Sequence, residues 1–95
     1  MLVKIILERK IKTGKEEEFK RLMRELFTGA IHAKGFISGE TMQSIEDPTF
    51  HLTIGTWKSV DDWNNWINSK DRKSVQQKLD QVLAEPAKIT PCHYE

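Results

Sequence analysis

The residues best suited to chemistry crowd into 56-TWKSVDDWNNWINS-69, where Trp57, Trp63 and Trp66 stand close together in a chain whose other aromatics are four Phe and one Tyr. Indoles so close in sequence can wall a pocket for a planar ligand. Asn64, Asn65 and Asn68 could then donate amide hydrogen bonds to its phenolic or quinone oxygens. His51 is a candidate general base because imidazole titrates near neutrality, Glu8 is a second, and Arg72 could orient a substrate by charge. Each has a plainer reading: asparagines on a solvated helix face, a lone histidine in a structural role, tryptophans as core.

Spacing separates the tryptophans. Trp57 ends a strand and Trp63 follows Val60 at core spacing, so both are expected to pack strand against helix. Trp66 is offset round the helix and is expected to line a cavity beside them. His32, His51 and His93 are isolated and show no i, i+4 pairing, so no zinc site is expected. Cys92 lies next to His93, but the two would point to opposite faces of a strand, which gives no reason for a lowered thiol pKa. No nucleophile elbow, phosphate-cradling glycine loop or dinucleotide fingerprint occurs. Any catalysis must then draw much of its chemistry from the substrate.

The elements that must position these groups follow from periodicity. In 2-LVKIILERKI-11 the alternation of Val3, Ile5 and Leu7 with Lys4 and Glu8 predicts a strand, with Ile6 making the second face partly apolar. Thr13 and Glu16 fit a capping box. Phe19, Leu22, Met23, Leu26, Phe27 and Ala30 then mark one face of a helix over 15–33. Gly35 is expected to close the following turn. The segment 36-FISGETMQSI-45 reads as a strand bulged at Gly39, and 50-FHLTIGTW-57 as its hairpin partner. Ser59 and Asp62 fit a second capping box before a short helix. Val75, Leu79, Val82 and Leu83 define another helix that Pro86 closes, and 87-AKITPCHYE-95 reads as an edge strand because it carries Pro91. The order strand, helix, strand, strand, helix pair, strand suits an α+β ferredoxin-like βαββαβ sandwich with one antiparallel sheet.

Ninety-five residues make a single domain, 1–95, with a modest core. A formal net charge of +1 with interspersed signs provides no basic stripe for nucleic acid or an anionic membrane. The opening 1-MLVKIILERK-10 is too short and too charged to span a bilayer, and one cysteine permits no internal disulfide. A cytoplasmic protein is expected. If helices cover one sheet face, the apolar residues on the other need cover too. A two-fold homodimer packed sheet against sheet is the economical solution.

The opening strand with 13-TGKEEEF-19, the 35-GFISGE-40 strand entry, the 57-WKS-59 strand exit and 63-WNNWINS-69 together resemble the antibiotic biosynthesis monooxygenase family of dimeric α/β barrels. That resemblance covers nearly the whole chain. It implies the ferredoxin-like fold, a homodimer and a pocket in each subunit between helices and sheet. It also implies a cofactor-independent monooxygenase acting on a small aromatic or quinol-like molecule, with Trp66, Asn64 and Arg72 as substrate-binding residues and His51 or Glu8 as the base. The alternative within the same fold is a small-molecule-binding or stress-response module without turnover. Trp66 also resembles a ligand-facing position of the haem-degrading branch. That branch adds a histidine ligand later on the helix, where this chain has 75-VQQ-77 around Gln76, and an asparagine on the first strand, where it has Leu7 or Glu8. Haem is thus the weaker alternative, and no cofactor is expected.

Overall fold

A computed structural model describes residues 1–95. The chain runs β1 (Val3–Lys10), α1 (Glu16–Ala30), β2 (Phe36–Gln43), β3 (Phe50–Trp57), α2 (Val60–Ile67), α3 (Lys70–Val82) and β4 (Lys88–His93). One antiparallel sheet has the order β2-β3-β1-β4. This is the expected ferredoxin-like α+β sandwich, with the helices on one face.

Strand alternation decides which side chains meet the helices. Val3, Ile5, Leu7 and Arg9 of β1 are buried beneath them, whereas Lys4, Ile6 and Glu8 face the other way. In β3, His51, Thr53, Gly55 and Trp57 share the helix face, since they pair in register with Arg9, Leu7, Ile5 and Val3. Leu52 and Ile54 fall beside Ile6 on the opposite face, where no helix packs and they remain half-buried.

Helix α1 buries Phe19, Leu22, Met23, Leu26 and Ala30, the stripe expected from a 3.6-residue period. It packs along α3, whose Val75, Leu79 and Val82 complete the apolar layer. Across their outer edges Lys78 pairs with Glu25 at 3.4 Å.

Several boundaries differ from expectation. Thr13 caps nothing. Lys15 occupies the N-cap of α1 without a side-chain hydrogen bond, and Gly14 at φ 85° makes the turn before it. That helix also stops at Ala30, short of residue 33. The irregularity in β2 lies between Phe36 and Ser38, not at Gly39. Ser59 does cap α2 by accepting from the Asp62 amide at 3.1 Å. The polar break 68–72 is shorter than its composition suggests: Ser69 caps α3 at once, which places Arg72 inside the helix and buries it.

Gly35 ties these pieces together. Its φ of 86° suits glycine alone, and its carbonyl accepts from the Lys58 amide at 2.8 Å, joining the end of α1 to the exit of β3. A Cβ at this position would run into the Asp62 carboxylate at the start of α2. The junction that holds Trp57, Trp63 and Trp66 in place thus depends on a missing side chain.

Candidate functional site

A second pair of missing side chains creates a cavity. Gly39 and Gly55 are cross-strand neighbours on β2 and β3, so the sheet lacks cover there on its helix side. The Phe27 ring descends from α1 onto Gly39, where a Cβ would lie 2.7 Å from its Cζ. The Trp57 indole leans over Gly55. Leu7 and Thr53 extend the floor, Met23, Leu26 and Ala30 form the wall from α1, and Trp63, Trp66 and Arg72 close the space from α2 and α3. The volume of this partly open space is about 50 Å³. Such a space holds a few waters and falls well short of the ~300 Å³ at which small-molecule pockets begin.

Trp57 and Trp63 pack strand against helix in the core as expected and Trp66 lines the cavity, but all three tryptophans border this space. Trp57, Trp63 and Trp66 are 2%, 5% and 7% exposed, so burial does not distinguish core from cavity lining. Trp63 and Trp66 are three residues apart, only ~60° round a helix, and both point inward. Trp57 stands at the hub. Trp66 stacks on it at 6.1 Å and 27°, while Trp63 and Phe36 meet it edge-on at 5.9 and 5.3 Å. Trp66 also borders two outer grooves of about 240 and 250 Å³, so its indole is the partition between cavity and surface. Its Cη2 reaches within 3.0 Å of where a Cβ on Gly29 would be, so a larger residue on α1 would crowd the ring.

Two arginines bring charge into this aromatic space. Arg72, expected from sequence, and Arg9, which sequence reasoning missed, both line the cavity and are 5% and 1% exposed. Arg9 has one side-chain hydrogen bond, donated from Nη1 to Thr53 Oγ1 at 3.0 Å. The Thr53 hydroxyl lies 2.9 Å from that of Thr41, and Arg9 Nε is buried without a partner. The Arg72 guanidinium lies 5.8 Å from the centre of the Trp63 ring, a cation–π arrangement. Neither arginine is in an ion pair. Burial, reinforced by the charge of Arg72, pushes the pKa of Arg9 down to about 10. Burial also lowers that of Arg72, with partial relief from Asp80. The missed signal was periodicity: Arg9 continues the Val3, Ile5, Leu7 phase, and a cation on the apolar face of a buried strand is unusual.

The other expected site residues are not gathered here. Asn64 is exposed, and its backbone carbonyl accepts from the Asn68 amide group at 2.9 Å; Asn65 borders an outer groove. Glu8 lies on the opposite sheet face, 3.8 Å from Lys88. His51 is on the helix face but outside the cavity, with its ring 4.8 Å from that of Phe19. No Asp, Glu, His or Lys side chain lines the cavity. No histidine borders the cavity, so the imidazole that would hold a haem iron is missing from its lining.

The sandwich and its apolar cavity, walled by tryptophans and bordered by two buried cations, define a small ferredoxin-like α+β domain. The family model for antibiotic biosynthesis monooxygenase matches residues 2–78, and the chain belongs to that family. Among solved structures it is similar to a conserved protein of Methanosarcina mazei Go1, with 20% identity, 100% of this chain and 94% of that one covered, and a TM-score of 0.94. It is likewise similar to SnoaB of Streptomyces nogalater, described as a cofactor-independent oxygenase, with 11% identity, 99% and 93% coverage and a TM-score of 0.90. At these identities the likeness is one of fold. No curated protein sequence gives a significant match.

Two outcomes follow from these charges. Replacing a buried, uncompensated cation by an apolar side chain of similar length relieves its desolvation, so Arg9→Met should raise the stability of the ligand-free protein by about 1–4 kcal/mol in urea denaturation. A fall in stability would mean that the charge is already satisfied within the fold. Burial, aided by Lys20 and Arg9 and opposed by Pro48 and Glu16, lowers the His51 pKa below the ordinary ~6.5. The unfolded chain therefore binds the proton more readily, and the part of the stability due to neutral His51 is full above about pH 6.5 and declines as pH falls toward the lowered value. Equilibrium unfolding at stepped pH should show a shallower acid decline for His51→Phe, and identical slopes would refute this assignment.

Proposed function

We propose that the protein is a cofactor-independent monooxygenase that oxidises a small aromatic or quinol-like molecule in the cavity between α1 and the sheet. The observation that carries this reading is the pairing of a tryptophan-walled space with two buried guanidinium groups that have no carboxylate partner. Family membership and the fold shared with SnoaB support it.

The chemistry needs little from the protein beyond environment. An electron-rich phenolate or enolate passes an electron to oxygen, and the radical pair combines to a peroxide. In a substrate with a CH₂ group, such as an anthrone, loss of water then leaves a carbonyl, so that CH₂ and O₂ give C=O and H₂O; a quinol and O₂ instead give the quinone and hydrogen peroxide. Arg9 and Arg72 would stabilise negative charge on the substrate and on reduced oxygen, and the apolar walls would strengthen that attraction by excluding water. With no base lining the cavity, the proton of a phenolic substrate passes to solvent on binding, made easier by the two cations. Entry requires Trp66 to swing toward the outer grooves, since the volume of about 50 Å³ is smaller than an aromatic substrate needs.

Oxygen uptake with a panel of hydroquinones and anthrones tests the activity. Turnover is expected without added metal or flavin, and Trp66→Ala should lower kcat/KM at least about tenfold by removing the stacking surface and letting water in. Uptake that Trp66→Ala leaves unaltered, or none with any member of the panel, would overturn the reading. The small volume and the absent base favour a second reading, a binding module without turnover. It predicts ligand binding with no oxygen uptake.

The functional unit is proposed to be a homodimer joined through the open sheet faces. Ile6, Leu52 and Ile54 form an apolar patch there that the helices do not cover, a face that a second copy would bury. Sedimentation at micromolar concentration should give twice the 11.1 kDa chain mass. A stable monomer would remove the dimer. A cytoplasmic location is part of the same proposal, supported by an unpaired Cys92. No helix is long and apolar enough to cross a membrane.

A further inference from the structure

We infer that the cavity is built for an aromatic acid, whose carboxylate sits between Arg9 and Arg72 while its ring stacks among Trp57, Trp63 and Trp66. The inference rests on the cavity being the substrate site of the proposed function, and it narrows the ligand from any small aromatic to one that arrives with a negative charge.

Each guanidinium lacks an anionic partner. A buried arginine in a folded protein ordinarily faces a carboxylate, because desolvating its charge is costly and a bidentate acid returns most of that cost. Arg9 is 1% exposed and meets only the neutral hydroxyl of Thr53. One of its donors, Nε, is buried with no acceptor. Arg72 is 5% exposed and meets only a ring face. The nearest acid that influences it, Asp80, is exposed, accepts instead from Gln76 Nε2 at 2.7 Å, and forms no ion pair with it.

Two like charges also repel: Arg72 acts against the charge of Arg9, both line one cavity, and Asp80 offsets the charge of Arg72 only in part. A single anion placed between them resolves all three deficits. It pairs both cations, accepts the proton of Arg9 Nε and turns the repulsion into a shared attraction. The Thr53–Thr41 hydroxyl pair holds the Arg9 fork in position from behind, so the geometry is set before a ligand arrives. The rest of the lining is apolar and aromatic, which excludes a highly hydrated inorganic ion as the intended occupant and fits a planar ring on the acid. A neutral quinol would leave both charges uncompensated.

The probes are 2,5-dihydroxybenzoate, hydroquinone and 2,5-dihydroxybenzamide: one quinol with a carboxylate, without it, and with a neutral isostere. Binding is read by quenching of tryptophan fluorescence and by titration calorimetry under nitrogen, so that turnover does not enter. The acid is expected to bind one per chain, about 10- to 100-fold more tightly than either neutral compound, as befits charge-assisted hydrogen bonds in a dry site. Arg9→Met and Arg72→Met should each abolish that preference, weakening the acid far more than hydroquinone. Arg72→Lys should restore part of it. Circular dichroism and thermal melting confirm that each variant is folded.

Equal binding of the three compounds, no binding of the acid, or an acid preference that survives both arginine variants would overturn the inference. Oxygen uptake in the same series separates it from the oxygenase reading. Tight binding of the acid without uptake leaves the anion site standing and removes the activity; uptake with neutral quinols and no preference for the acid does the reverse.

Discussion

The structure depends most on holding two positive charges inside an aromatic core with nothing in the chain to neutralise them. Strand alternation gives Arg9 no choice of side: once Val3, Ile5 and Leu7 turn toward the helices, the next residue in phase turns with them. Arg72 enters because Ser69 caps α3 only two residues after α2 ends, which places the third residue of the helix inward. Burial of such groups normally weakens a small domain, and a chain of 95 residues has limited apolar area with which to offset it. The retained charge therefore points to a ligand. A site poised for a negative group is less stable when empty than an apolar core of the same shape.

The space around those charges comes from subtraction. Gly39 and Gly55 remove two adjacent side chains from the sheet, and Phe27 and Trp57 only partly fill what is left. Trp57 can serve as hub because Gly35 accepts from Lys58 just beyond it and leaves room for Asp62 at the head of α2. Trp66 then divides interior from surface.

Much of this was legible in the sequence because it is local. The periodicity of β1 and α1, the Ser59 cap and the edge position of the strand bearing Pro91 each depend on neighbours a few residues away, and the fold order followed from them. The parts that were not legible depend on residues far apart in the chain. Gly39 looks like a weak point within a strand, and only the descent of Phe27 from α1 shows that it is a seat. Asn64 has the right chemistry for a phenolic oxygen, but helix phase turns it to solvent. His51 and Glu8 carry suitable bases, yet one packs on Phe19 and the other faces the far side of the sheet. Arg9 was readable from its phase alone. Its charge disguises that phase, because Lys4 and Glu8 on the other face of the same strand are charged too.

The central claim is that both guanidinium groups wait for one shared anion. Side-chain ¹⁵N–¹H spectra of the arginine Nε groups observe it directly. Added 2,5-dihydroxybenzoate should shift the Arg9 and Arg72 Nε–H resonances together along one saturable curve, with Arg9 moving downfield as its unpartnered donor gains an acceptor, while surface arginines such as Arg21 and Arg24 stay still. Resonances of Arg9 and Arg72 that do not move, or that move no more than those of Arg21 and Arg24, would contradict the account.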